Sequence, residues 1–94
     1  MKVAIYSRGL ESTQQKDVQL FFDELDKEQI NPVVFEPFLK QINPYISLPA
    51  STETFSGTDD LTEEIDFFIS LGGDGTLLDT LTLVRNKRIP VVGI

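Results

Sequence analysis

The chain contains no cysteine, no histidine and no tryptophan in its 94 residues. Without cysteine it has neither a disulfide framework nor a thiolate metal site. Without histidine, a Ser–His–Asp relay and imidazole metal ligation are both excluded within these residues. Cations are scarce: 8 Lys and Arg stand against 15 Asp and Glu, a formal net charge of -7. A nucleic-acid binder needs a basic footprint, so that class is set aside. No stretch approaches the roughly 20 apolar residues that span a bilayer. A basic amphipathic helix for a membrane surface is also lacking. The opening run Met1 to Tyr6 is too short for the apolar region of a secretory leader and meets polar residues at Ser7. Nothing addresses the chain elsewhere, so a cytoplasmic location is expected.

What is present reads as one small soluble domain with a modest core, 40% hydrophobic and 24% charged. Lys2 to Ser7 reads as a β-strand. Ser12 and Gln15 have capping-box spacing. The helix they open carries Val18, Phe21, Phe22 and Leu25 on one face. Asp23 and Lys27 are placed to pair on its polar side. Asn31-Pro32 should end this helix, and Val33 to Phe35 should form a second strand. Pro37 suits the start of a short helix with Phe38, Leu39, Ile42 and Ile46, limited by Pro44. Leu48 to Leu61 is rich in Ser, Thr, Asp and Glu and reads as an exposed, mobile loop.

Asp66 to Leu71 is a third predicted strand, and its apolar Phe67-Phe68-Ile69 suits burial on both faces. A helix is expected from Thr76, with Leu77, Leu81 and Val84 on its buried face, Leu78 beside them, and Lys87 and Arg88 in or just past its last turn. Pro90 to Ile94 reads as a fourth strand. Strands that alternate with helices imply an α/β fold: a parallel Rossmann-like sheet with helices on both faces. The chain stops on a buried-looking strand, and the expectation is a fragment of a two-domain enzyme.

Between the third strand and the last helix lies Ser70-Leu71-Gly72-Gly73-Asp74-Gly75-Thr76-Leu77-Leu78. In an open parallel sheet, ligands sit at the carboxyl ends of strands, where this corner falls. Glycine allows positive φ and close approach of backbone to a ligand. The free N–H groups that open the helix favour an anion, which suits phosphate binding in an acidic chain. No Walker A lysine is present. An aspartate in such a corner can accept a proton from an attacking hydroxyl or hold a metal ion. The same residues also serve as a plain tight turn with Thr76 as helix N-cap, and that alternative stands on composition alone.

The run LGGDGTLL between an apolar strand and a helix resembles the NAD kinases, a superfamily with the phosphofructokinases and diacylglycerol-type lipid kinases. The opening KVAIYSRG, the helix running through Val84 and Arg85, and IPVVGI fit the NAD kinase pattern. The resemblance covers the chain as residues 1–94 of an N-terminal domain whose C-terminal partner domain, with its Asn-Glu pair, is not represented. It implies ATP-dependent phosphorylation of the adenosine ribose 2′-hydroxyl of NAD to NADP. Asp74 would be the catalytic proton acceptor, and Gly72, Gly73, Asp74, Gly75 and Thr76 the residues that cradle the nucleotide. ATP and a divalent cation, magnesium by preference, are the implied cofactors. The small molecule NAD is the implied partner, with a homo-oligomer as the assembly. No set of side chains for a protein-held metal is read from the sequence. Asp79 stands where several members of that family carry a basic residue near the substrate; here it is read as a first-turn cap paired with Thr76, and Arg8 as a surface charge at the same sheet edge. The 94 residues alone are expected to be inactive and to self-associate. The alternatives are a diacylglycerol-type lipid kinase domain and a non-catalytic nucleotide-binding or oligomerisation module.

Overall fold

The computed structural model describes residues 1–72, 74–84 and 87–93, without the side chain of Asp74. Expectations that fall on Gly73, Arg85, Ile94 and the Asp74 carboxylate lie outside the described residues. The strands are β1 (Lys2–Tyr6), β2 (Asn31–Phe35), β3 (Glu53–Phe55), β4 (Ile65–Ser70) and β5 (Val91–Gly93); the helices are α1 (Gln15–Lys27), α2 (Glu36–Ile42) and α3 (Asp74–Val84). All described strand pairs are parallel, in the order β3-β2-β1-β4-β5. This is the expected Rossmann-like α/β sheet. Among the described residues no helix is long and apolar enough to cross a membrane.

Alternate residues of the strands point to opposite faces, and each face has its own apolar cluster. Val3, Ile5 and Val34 meet Phe22 and Leu25 of α1 and Phe38 and Ile42 of α2. On the other face, Ala4, Tyr6, Val33 and Phe68 meet Phe55, Leu61 and Val84. Helices therefore cover both faces, α1 and α2 one and α3 the other.

Several local expectations give way. The N-terminal cap of the first helical segment lies one residue earlier: the Glu11 N–H donates to Gln14 Oε1 at 3.3 Å, and a 3-10 turn over Ser12–Gln14 precedes α1. Asp23 accepts from Gln19 Nε2 at 2.8 Å, while Lys27 faces Glu24 at 4.0 Å, so the expected Asp23–Lys27 pair does not form. α1 ends at Lys27, before Asn31-Pro32. Its stop is a left-handed residue, Gln29 (φ 59°). The Ile30 N–H reaches back to Leu25 O at 2.8 Å and the Gln29 N–H to Asp26 O at 3.1 Å. This motif usually takes glycine, so its glutamine version leaves little trace in the sequence. Asn31 and Pro32 instead belong to β2. The Asn31 N–H bonds Met1 O on the β1 side, and β3 pairs only from Val33 onward. The N–H that Pro32 lacks would therefore point where no neighbour needs it.

The supposed mobile loop contains β3 and a buried anchor. Phe55 is 1% exposed and Leu61 fully buried. Phe55 continues an aromatic row: ring centroids are 4.8 Å apart for Tyr6–Phe35, 5.4 Å for Phe35–Phe55 and 5.6 Å for Phe55–Phe68. Phe67 is 39% exposed, so β4 is not covered on both faces along its length. The α3 stripe is also rotated from expectation. Thr76, Thr80 and Val84 are buried at four-residue spacing, Leu77 is half-buried, and Leu78 and Leu81 face outward at 65% and 49% exposure. The buried Thr80 hydroxyl is satisfied within the helix, donating to Thr76 O at 3.1 Å. Lys87 lies just past α3, where its N–H bonds Val84 O.

Candidate functional site at the sheet switch point

From β1 the sheet grows one way through β2 and β3, and the other way through β4 and β5. Ligand crevices in open α/β sheets form at such a reversal, outside the carboxyl ends of the two strands that flank it. Here those ends are Tyr6 and Ser70, paired in register. The segments that leave them, Ser7–Leu10 and Leu71–Gly72, line one side of a cleft of about 780 Å³. Phe21 of α1 and Phe38 of α2 form its apolar wall. Gln41 of α2 ties down the β1 segment, its Oε1 accepting from the Leu10 N–H at 3.2 Å. Glu11 and Asp17 also line the cleft, with Arg8 as the cation among its described lining residues.

The glycine corner forms the floor. Gly72 has φ +141°, a conformation that side chains rarely adopt. A Cβ there would stand 2.7 Å from Thr76 Oγ1, so the turn closes onto the helix only because Gly72 has none. α3 begins at Asp74, which makes Thr76 a buried residue of the first turn and not the N-cap. Gly75 is likewise helical, and among the described glycines of the corner positive φ falls on Gly72. Gly72 and Thr76 border the cleft together with Arg8. The backbone of Asp74 and Gly75 opens the helix at the same corner, where its free N–H groups and positive dipole end lie.

Asp79 is not a cap. It lies in the second turn of α3 and binds Arg8 across the switch point, Nε to Oδ2 at 2.6 Å and Nη2 to Oδ1 at 3.2 Å. The Tyr6 hydroxyl donates to the same Oδ2 at 2.9 Å. Arg8 first and Tyr6 second hold the Asp79 carboxyl below its ordinary pKa. Burial, and then the Asp79 carboxylate, push the Tyr6 phenol upward. Asp79 raises the Arg8 guanidinium in turn. The carboxylate therefore stays charged and the phenol protonated throughout the neutral range. Sequence reasoning missed this cluster. Asp79 lies more than 70 positions along the chain from Tyr6 and Arg8, and only the adjacency of β1 and β4 joins them. At the end of β4, the Ser70 hydroxyl is buried with no hydrogen-bond partner among the described residues.

Residues 8–94 match the model of the ATP-NAD kinase N-terminal domain. The chain belongs to the NAD kinase family. Curated NAD kinases align along the whole chain: the protein from Christiangramia forsetii is 32% identical over 94 residues and that from Flavobacterium psychrophilum 33%. The NAD kinase of Cytophaga hutchinsonii is 36% identical over 97 aligned residues. The chain covers 32% of the length of each of these NAD kinases. No solved structure matches it at a significant level. Within the family assignment, the glycine-aspartate corner occupies the crevice position that the sheet topology alone singles out.

Proposed function

We propose that the protein phosphorylates the adenosine ribose 2′-hydroxyl of NAD, with ATP as donor, and that residues 1–94 are the N-terminal domain of this two-domain enzyme. The observation that carries the reading is the coincidence of family and place: a chain of the NAD kinase family sets Gly72, the backbone of Asp74, Gly75 and Thr76 at the sheet switch point. Asp74 accepts the proton of the 2′-hydroxyl. The freed oxygen attacks the terminal phosphorus of ATP, the bond from that phosphorus to the bridging oxygen breaks, and ADP leaves. A free aspartate has a pKa of about 3.9 and is a weak base. Proton transfer therefore comes late, and most of the acceleration comes from alignment and charge stabilisation. The backbone of Gly72, Gly73 and Gly75 and the N–H of Thr76 supply donors to phosphate oxygens.

Among the described residues no three His, Cys, Asp or Glu side chains converge as a metal cage. In this reading the divalent cation, magnesium by preference, enters with the ATP phosphates, and no step is assigned to a metal held by this domain. Homo-oligomeric assembly belongs to the same reading. A cytoplasmic location goes with the nucleotide substrates.

The test is to incubate the full-length protein with ATP, magnesium and NAD and to measure NADP with an NADP-specific dehydrogenase. Asp74→Asn keeps the size of the side chain and removes the base, so turnover should fall on the order of 10²-fold or more. Wild-type turnover by that variant would refute the role given to Asp74, and no NADP from the unaltered protein would refute the function.

A further inference from the structure

The glycine corner supplies backbone donors, but in a chain of net charge -7 an anionic ligand also needs a cation near it. Arg8 is the cation among the described residues lining the cleft. Its side chain is 61% exposed, and an unrestrained arginine there would sample many rotamers. This one is held. Asp79 takes Nε and Nη2 side-on, leaving Nη1 without an acceptor among the described residues. Asp79 is fixed in turn by the Tyr6 hydroxyl on the oxygen that Nε also uses. Tyr6 is 9% exposed and packs at a tilt against Phe35 in the core. A buried ring thus orients a carboxylate, and the carboxylate orients a guanidinium.

The free edge points at the corner. A Cβ built on Gly75 would lie 2.8 Å from Arg8 Nη1 and 3.1 Å from its Cζ. The guanidinium therefore rests directly on the first turn of α3, in space that any residue but glycine would fill. From there Nη1 can reach an oxygen that also accepts N–H groups from the start of the helix. An exposed ion pair adds little to stability, because solvent screens it and ordering its side chains costs entropy. Two of the guanidinium's three nitrogens are used for orientation while the third lies over Gly75 at the start of α3, and that geometry favours a binding role over a stabilising one.

We infer that Arg8 donates through Nη1 to a phosphate oxygen of the nucleotide bound at the glycine corner, with Asp79 as the positioning residue that aims it. The inference rests on the function proposed above and adds a cation from the β1 segment to that site. A phosphate oxygen here can come from ATP or from the pyrophosphate of NAD, and the two are separated by measuring both.

The experiment compares Arg8→Gln, Arg8→Lys, Asp79→Asn and the double variant Arg8→Gln/Asp79→Asn in the full-length protein. It reads kcat, KM for ATP, KM for NAD, direct titration of each nucleotide, and thermal midpoint. Loss of a charge-assisted hydrogen bond should raise KM and Kd for one nucleotide by about 10-fold to 100-fold in Arg8→Gln. The nucleotide affected identifies the source of the oxygen. Arg8→Lys should recover part of the loss, because it restores the charge without the planar fork. Asp79→Asn should weaken the same nucleotide less than Arg8→Gln does, and the double variant should be no weaker than Arg8→Gln alone. A purely structural pair would lower the thermal midpoint and leave both KM values unchanged. Unchanged KM and Kd for both nucleotides in Arg8→Gln, with the unaltered protein active, overturn this inference and leave the proposed function standing. Absence of NADP from the unaltered protein together with normal nucleotide titration refutes the function, and the titrations then decide the role of Arg8. An unaltered protein that binds neither nucleotide overturns both.

Discussion

Replacing Gly72 by alanine tests whether the corner is built on a backbone that only glycine tolerates. At φ +141° a residue with a Cβ lies in sparsely populated territory, which costs about 1–3 kcal/mol. The new methyl group would also stand 2.7 Å from Thr76 Oγ1 and 3.2 Å from Thr76 Cβ. Thr76 is 6% exposed in the first turn of α3, so it cannot swing into solvent to make room. Overpacking of this kind adds about 1–3 kcal/mol. Because one backbone shift relieves part of both penalties, the combined loss should be about 2–4 kcal/mol. In a domain of this size each kcal/mol moves the melting midpoint by about 4–8 °C. Guanidinium unfolding followed by far-ultraviolet circular dichroism gives the free energy, and a thermal scan gives the midpoint. Gly57→Ala is the control: its φ is -169°, ordinary extended backbone, and nothing lies within 4 Å of the added Cβ. It should be neutral or stabilising by up to about 1 kcal/mol. A Thr76→Ala background separates the two terms, since it removes the Oγ1 collision and leaves the φ penalty. Gly72→Ala within about 0.5 kcal/mol of the unaltered protein, the range of a neutral surface change, would refute the argument.

Phe55→Ala should destabilise the protein by about 3–5 kcal/mol, as expected for a fully buried aromatic, and a loss under about 1 kcal/mol, no more than an average substitution, would mean that β3 is a loose strand. On α3, Leu78→Gln should lie within about 0.5 kcal/mol of neutral, whereas Thr80→Leu should cost about 1–3 kcal/mol by overpacking. Denaturant midpoints of the two variants check the rotation of the helix. A large loss from Leu78→Gln would mean that another part of the protein covers that leucine.

Much of the fold was written in local pattern. β1, the apolar stripe of α1 and the helix opened by Glu36-Pro37 follow from side-chain period and from what proline permits, which depend only on near neighbours. The glycine corner was legible for the same reason: a strand, a glycine-rich turn and a helix in sequence set a βα unit, and such units place their turns at the strands' carboxyl ends. Other features depended on partners far along the chain. β3 has three residues, and its polar sequence becomes a strand because β2 offers an unpaired edge and Phe55 fills the gap beside Phe35. α3 carries apolar residues around most of its circumference, so periodicity did not choose between faces. The sheet chose, taking Thr76 and Thr80, whose small side chains suit a close approach of helix to strand. The link from Tyr6 through Asp79 to Arg8 spans residues 73 and 71 positions apart. It exists because β1 and β4 are neighbours, and strand order is a property of the whole folded sheet that no local window of sequence contains.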